Sequence, residues 1–235
     1  MDYEAIATTL ESRLSLRNAP VALKFVKEKP AGLTRTDAVV PSACAFWRRA
    51  ETEIFYAAAE DHLNCPLGAM VLGFPLPEKQ MAQLREEVVM MTGMSYVRGE
   101  EVDRIPKVEG PCAGIVYGPL KSFPLEPDVA LLWLTPRQAM MMSECCGLIN
   151  WAAEPADVLG RPGCASIPAA LQKARATQSL GCVGMRANTG IPEDRLLMVV
   201  PGSRLGELSR ELEHTSRIHQ DLERHYAEKR ARLAS

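Results

Sequence analysis

The sequence contains no run of about eighteen apolar residues, so it predicts no helix that spans a membrane. It also lacks an excess of either charge, because 27 lysines and arginines stand against 29 aspartates and glutamates, for a net charge of −2. We therefore expect no general attraction to nucleic acid or to an anionic membrane surface. Aromatic residues make up only 6% of the chain, and the 11 methionines are expected to fill part of the core instead.

Short motifs typical of well-known sites are missing as well. No glycine-rich phosphate-binding loop follows a predicted strand, and no HExxH sequence is present. No pair of cysteines has CxxC spacing, which excludes thioredoxin-type chemistry and the usual zinc-ribbon pattern. His214 and His219 are five positions apart on a charged helix and do not share a face. His62 is interpreted as a solvated loop residue rather than a ligand.

Cysteine usage points to a reducing compartment. The chain has seven cysteines, an odd number that cannot pair completely. Residues 1–4 are acidic and do not show the charged-then-apolar pattern of a signal peptide. We therefore expect a cytoplasmic protein whose thiols are free.

Hydrophobic periodicity predicts helices and strands in irregular alternation. The predicted helices cover residues 4–17, 43–50, 77–94, 136–150, 166–174 and 204–232, and the predicted strands cover residues 21–26, 53–58, 112–117, 128–134 and 195–200. The uninterrupted apolar run in residues 128–134 is typical of a central strand that is covered on both faces. Connections longer than those of a doubly wound sheet favour an α+β (mixed α/β) fold. We expect a single domain over residues 1–235, with a central sheet.

The C-terminal helix, predicted from about residue 204 to residue 232, is long and has a narrow apolar stripe. The stripe consists of Leu205, Leu208, Leu212, Ile218, Leu222 and Tyr226. Arginine and glutamate dominate the other faces. A helix of this kind either packs on its own domain through one narrow face or pairs with another chain. We expect it to support a homodimer.

Residues 179–186 (SLGCVGMR) carry the clearest candidate for a binding residue. Cys182 lies between Gly181 and Gly184, so its sulfur has little side-chain bulk around it and the backbone can approach a bound group closely. Arg186, four positions further on, can face an anion or offset the charge of a thiolate. Gly181, Gly184 and Arg186 are therefore predicted to contact the bound group.

Three other cysteines, Cys44, Cys65 and Cys164, also lie close to proline or glycine rather than inside an apolar run. Together with Cys182 they are called the loop cysteines below. One hypothesis is that the four thiols converge on one metal site. The alternative is that each is a small buried apolar residue, as free cysteine often is.

The remaining cysteines are interpreted as packing residues. Cys145 and Cys146 are adjacent on a predicted helix, so their side chains diverge by about 100° and cannot easily reach one metal. Cys112 lies in a predicted strand, facing one surface of the sheet.

Five segments form a recognisable combination. They are residues 20–25 (PVALKF), 65–73 (CPLGAMVLG), 135–140 (TPRQAM), 160–165 (GRPGCA) and 179–186. Together they resemble the DUF169 family, a set of bacterial and archaeal proteins of unassigned function. The resemblance covers about residues 5–205 and implies that the loop cysteines match the family's motif cysteines and share a site. It implies no reaction.

An iron–sulfur cluster is the function that we favour from the sequence. A 2Fe–2S or 4Fe–4S cluster takes four thiolates, and glycine-flanked cysteines offer backbone N–H groups to its sulfides. Ferredoxin ligands usually come in compact local runs, whereas these cysteines are dispersed. We therefore expect tertiary folding to assemble the site, and we favour the 4Fe–4S type of cluster. The protein would be redox-active or regulatory, with a redox partner or a small-molecule ligand.

Three alternatives remain open at this point. A structural zinc site accepts four thiolates, although the usual C-x₂₋₄-C knuckles are missing. A small-molecule-binding enzyme would use a reactive thiol, with Arg186 or Arg161 holding an anionic substrate and lowering the pKa of the thiol. A haem protein would use a single thiolate, which the sequence neither supports nor refutes.

Overall fold

The computed structural model describes residues 1–146, 158–159 and 162–234, with only the backbone described for residues 158–159. The helices are α1 (Tyr3–Leu14), α2 (Ala45–Arg49), α3 (Pro66–Val71), α4 (Glu78–Gly93), α5 (Gly99–Asp103), α6 (Pro136–Cys145), α7 (Ser166–Lys173), α8 (Val183–Thr189) and α9 (Leu205–Ala234). The strands are β1 (Val21–Val26), β2 (Phe55–Ala58), β3 (Gly114–Pro119), β4 (Val129–Leu134), β5 (Val158–Leu159), β6 (Thr177–Ser179) and β7 (Leu196–Pro201). Short 3₁₀ turns cover Ala59–His62, Leu120–Ser122, Gly163–Ala165 and Gly202–Arg204.

The described strands form one seven-stranded sheet in the order β2-β3-β1-β4-β7-β6-β5. Neighbouring strands run antiparallel, except that β5 and β6 run parallel. Strand β4 occupies the centre, and all six of its residues are buried, as its uninterrupted apolar run predicts. The mixed α/β class with a central sheet is therefore confirmed.

The two faces of the sheet carry separate hydrophobic cores. Because side chains alternate along a strand, Leu131 and Trp133 of β4 face one core, while Leu132 faces the other. Helices α1, α6 and α9 cover the face of Leu132. Helices α2, α3, α7 and α8 cover the opposite face, which also holds the loop cysteines.

Helix α6 begins at a capping arrangement that can be read in the sequence. The hydroxyl of Thr135 accepts from the backbone N–H of Gln138 at 3.3 Å, and the Gln138 side-chain oxygen accepts from the Thr135 N–H at 2.7 Å. Pro136 occupies the first helical position, where no N–H donor is needed. The helix ends at Cys145, so the last part of the predicted helix 136–150 lies outside the described residues.

Helix α9 is as long as its sequence predicts, from Leu205 to Ala234. Its first half packs on α1 and α6 through Leu205, Leu208 and Leu212, all of them buried. Further along the helix the apolar residues are exposed: Ile218, Leu222, Tyr226 and Leu233. Within the described residues, no helix is both long and apolar enough to cross a bilayer.

Short elements near the cysteines are the main features that the sequence pattern does not predict. Helices α3 and α8 and strand β6 contain only three to seven residues each. Hydrophobic periodicity needs a longer window to separate helix from strand. Their formation is decided by packing on the sheet rather than by local pattern.

Candidate functional site

The loop cysteines all line one cavity of about 600 Å³. Cys44, Cys65 and Cys182 directly precede α2, α3 and α8, and Cys164 lies in the 3₁₀ turn ahead of α7. Each therefore sits at the start of a helical segment, where backbone N–H groups have no partner inside the helix. The fold thus brings together four thiols from segments that are distant in the chain.

Two glycines allow these segments to close around the sulfurs. A Cβ atom on Gly68 would lie 2.9 Å from the Sγ of Cys65, so a side chain there would displace the thiol. Gly181 has a φ of +81°, and a Cβ atom there would overlap the Cε of Met185. The glycine next to Cys182 thus permits both the turn and the close packing of α8.

The sulfurs are within reach of hydrogen-bond donors. The backbone N–H of Met185 donates to the Sγ of Cys182 at 3.4 Å. The Ser42 hydroxyl lies 3.0 Å from the Sγ of Cys44. Backbone hydrogen bonds at Ala43 and Gly68 favour the charged form of Cys65, and the backbone N–H of Cys164 does the same for its own thiol. Such donors suit thiolates better than neutral thiols.

Burial works against the charged form of Cys44, Cys65 and Cys164. Burial raises the pKa of Cys44 to about 12, raises that of Cys65, and raises that of Cys164 well above its ordinary value. The other loop cysteines raise the pKa of Cys164 further, so the four sulfurs interact electrostatically. Without a nearby positive charge, the thiols of Cys44, Cys65 and Cys164 therefore remain protonated at neutral pH.

Arg186 does not supply that charge to the cavity directly. Its guanidinium donates to the backbone carbonyls of Leu180 and Arg195 at 2.5 and 2.9 Å, which holds together the loop that carries Cys182. Arg161 lies outside the described residues. Among the described residues that line the cavity, the single charged side chain is Glu87, a carboxylate. Gly184 lines the cavity, whereas Gly181 lies behind it against Met185.

The spacing of the thiols does not match a single-ion site. Within the described part of the chain, no group of three or more His, Cys, Asp or Glu side chains is arranged to hold one metal ion. A tetrahedral zinc ion with Zn–S bonds of about 2.3 Å needs its four sulfurs within about 4 Å of one another. The loop cysteines line a cavity and, among the described residues, are not arranged around one point.

His62 is buried, which corrects its interpretation as a solvated loop residue. Its Nδ1 lies 2.7 Å from the carbonyl of Ala58, and its Nε2 lies 2.9 Å from the hydroxyl of Tyr117. Burial lowers the pKa of His62 to about 4, so the ring is neutral at pH 7. Burial raises the pKa of Tyr117 well above its ordinary value, and Cys112, Cys44 and Cys164 raise it further, so Tyr117 lies near two of the loop cysteines. The sequence around His62 contains no pattern that predicts its contact with Tyr117, which lies 55 positions later in the chain.

The other three cysteines lie elsewhere. The thiol of Cys112 donates to the carbonyl of Gly114 at 3.0 Å and does not line the cavity. Cys145 and Cys146 pack on the opposite face of the sheet, at the end of α6.

Comparison with known proteins gives a family and no activity. The family model described as "DUF169: Uncharacterised ArCR" matches residues 9–211. An uncharacterized protein of Methanocaldococcus jannaschii, MJ0308, is 29% identical over 183 residues, which cover 72% of this chain and 74% of the relative. No solved structure matches the chain.

Proposed function

This chain belongs to the DUF169 family, and we propose from its site that it is a redox or regulatory protein that binds an iron–sulfur cluster of the 4Fe–4S type. The ligands in this proposal are the thiolates of the loop cysteines. The observation that carries it is the convergence of four cysteines, from four segments, on one cavity. Four free thiols gain nothing obvious from such an arrangement unless a cation binds them.

The donor set fits the chemistry of a cluster. A cluster is held by thiolates, and hydrogen bonds to its sulfurs tune its potential. The N–H of Met185 and the hydroxyl of Ser42 already point at two of the four sulfurs. When bound, a cluster of this kind would supply one-electron transfer. The chain's own residues would hold it, orient it and limit the access of water.

The lack of a single-ion arrangement among the described residues favours a cluster over a structural zinc ion. In a cluster each thiolate binds a different iron, so the sulfurs stand farther apart than around one ion. The absence of a single-ion arrangement within the described residues therefore counts against zinc and is compatible with a cluster.

A reactive-thiol enzyme has less support. Reactive cysteines sit in electropositive surroundings that lower their pKa. Here burial raises the pKa of Cys44 and Cys65, and the described lining of the cavity contains no lysine or arginine. The described lining therefore has no positively charged side chain that could bind an anionic substrate.

The decisive experiment measures iron and acid-labile sulfide per chain after anaerobic reconstitution, for the wild type and for all seven single Cys→Ser variants. Serine at any one of the loop cysteines should lower iron content and thermal stability together, because metal binding energy becomes folding energy. Serine at Cys112, Cys145 or Cys146 should change stability only. Equal iron content in all seven variants, or none in the wild type, would remove the cluster from the proposal.

We further propose that the protein forms a homodimer and works in the cytoplasm with a redox partner. The first half of α9 buries its apolar stripe on the domain, whereas the apolar residues of the second half are exposed. A second copy of the chain could cover them, which supports self-association. A cytoplasmic setting suits seven free cysteines.

A further inference from the structure

The cavity extends well beyond the loop cysteines. Its volume of about 600 Å³ lies in the middle of the range for pockets that bind drug-sized molecules or cofactors. The cysteines form one wall. The facing wall is built by the C-terminal half of α4, by the following loop and by α5.

The facing wall is apolar and partly exposed. Its side chains are those of Val88, Met90, Met91, Met94, Tyr96, Val97, Val102 and Ile105. Met90 and Met94 are 56% and 63% exposed, and Val183 on the cysteine side is 70% exposed. A concentration of exposed apolar side chains around one concave site marks a place where something binds. Methionines adapt their shape to a bound molecule and make favourable contacts with aromatic rings.

Charge selects the kind of molecule. Glu87 is the single charged group among the described lining residues, and a cluster held by four thiolates would add further negative charge. An anion is therefore repelled from this cavity, and the wall contains few polar groups that could bind a strongly polar molecule. An uncharged, largely apolar molecule is not repelled by Glu87, and its binding would cover the exposed methionines.

The facing wall also buries few of its own residues, which favours local opening to admit such a molecule. Helix α4 buries only Leu84, and α5 buries no residue. The segment is held at its base, where the N–H of Val108 donates to the carbonyl of Val71 at 2.9 Å and the side chain of Gln172 donates to the carbonyl of Lys107 at the same distance. Few buried contacts and fixed ends are typical of a segment that opens locally.

We propose that the space between the loop cysteines and α4 binds an uncharged, largely apolar organic molecule, beside the metal site. This inference deepens the proposed function, because it names the class of ligand or substrate that would meet the cluster. The α4–α5 segment covers the bound molecule and excludes water from it.

The test uses the full chain and an uncharged dye, N-phenyl-1-naphthylamine, with binding measured by equilibrium dialysis. The anionic dye 8-anilino-1-naphthalenesulfonate serves as the comparison. The test variant is Met90→Glu and its control is Val89→Glu, because the two residues are adjacent and exposed on α4 but only Met90 lines the cavity. Met94→Glu is a second test variant.

The uncharged dye should bind saturably and more tightly than the anionic dye. Met90→Glu and Met94→Glu should each weaken its binding by about tenfold, since they place a carboxylate against an apolar molecule, while Val89→Glu should change it less than about twofold. Absence of saturable binding, equal effects of Met90→Glu and Val89→Glu, or tighter binding of the anionic dye would overturn the inference.

The same dialysis on iron-loaded protein separates the two proposals. Loading the cluster should leave dye binding within about threefold, because the two occupy different walls of the cavity. Loss of dye binding on iron loading would overturn a ligand site beside the cluster. If the protein loads iron but does not bind the dye, the ligand site is overturned and the proposed cluster stands. If it binds the dye but loads no iron, the proposed cluster is overturned and the apolar ligand site stands.

Discussion

The Nε2 of His62 lies 2.9 Å from the hydroxyl oxygen of Tyr117, and both side chains are buried. The Nδ1 of the same ring lies 2.7 Å from the carbonyl of Ala58, which can only accept, so Nδ1 carries the proton. Nε2 must therefore accept from the hydroxyl of Tyr117. Both ring nitrogens are thus hydrogen-bonded when the imidazole is neutral. Protonation of Nε2 would reverse its hydrogen bond, leave the phenol proton of Tyr117 without this acceptor and place a charge in the core.

His62 should make the metal-free protein sensitive to mild acid. Its pKa is about 4 in the folded protein and about 6.5 when exposed, so the unfolded state binds more protons between these values. Its contribution to stability is thus fully present above pH 6.5 and is lost as the pH falls toward 4, by up to about 3 kcal/mol. Urea unfolding of the wild type at pH 7, 5.5 and 4.5 should show this loss.

The matched variants for this prediction are His62→Gln and His225→Gln. Carboxylates also titrate in this range, so the informative quantity is the difference in pH dependence between variants. The part due to His62 should disappear in His62→Gln, whatever its overall stability, and persist in His225→Gln, since His225 is exposed on α9. The same pH dependence in all three proteins would contradict the burial of a neutral imidazole.

Gly68 should be required for cluster binding, because it leaves room for the thiol of Cys65. In Gly68→Ala the new methyl group would lie 2.9 Å from the Sγ of Cys65 and 3.2 Å from the Cβ of Ala43, so the thiol must shift. Reconstituted iron content should fall. The control is Gly93→Ala at the exposed end of α4, where an added methyl group meets nothing within 4 Å and should stabilise the helix by about 0.5–1 kcal/mol. Normal iron content in Gly68→Ala would show that Cys65 is not a ligand in the arrangement proposed.

Cys145 should act only as a packing residue. It lies at the end of α6 against the core that is opposite the cavity, so Cys145→Ala should lower the free energy of unfolding by about 1–2 kcal/mol. Iron content should equal that of the wild type, in contrast to Cys164→Ala. A Cys145→Ala protein that folds but purifies without iron would show that the ligands are wrongly assigned.

The exposed half of α9 should mediate self-association. Removing the whole helix would uncover the core, because Leu205, Leu208 and Leu212 are buried, so point variants are the cleaner test. Leu222→Glu combined with Tyr226→Glu places two charges on the exposed stripe and should reduce the mass seen by light scattering to that of a monomer. The charge-matched control, Gln220→Glu combined with Ala227→Glu, changes neighbouring positions away from that pair and should remain dimeric. A wild type that is monomeric at high concentration would end this proposal.

The sequence by itself determines the elements whose signals are local and long. The uninterrupted apolar run in β4 requires a strand that is covered on both faces, and it occupies the centre of the sheet. Thr135, Pro136 and Gln138 specify the start of α6, because the cap uses side chains within one helical turn. The stripe of α9 follows from helical periodicity over thirty residues. The nearness of the loop cysteines to proline and glycine is also a local feature, and it is enough to identify them as candidates.

Only the tertiary structure decides where those candidates meet. Cys44 and Cys182 line one cavity because the sheet order places α2 and α8 on the same face, and no local pattern encodes the order of strands. The helices α3 and α8 are too short to form by propensity alone, so packing on the sheet fixes them and, with them, the direction of each thiol. His62 shows the same limit: its burial and its neutral state depend on Tyr117, a partner 55 positions away that only the folded sheet brings within hydrogen-bonding distance.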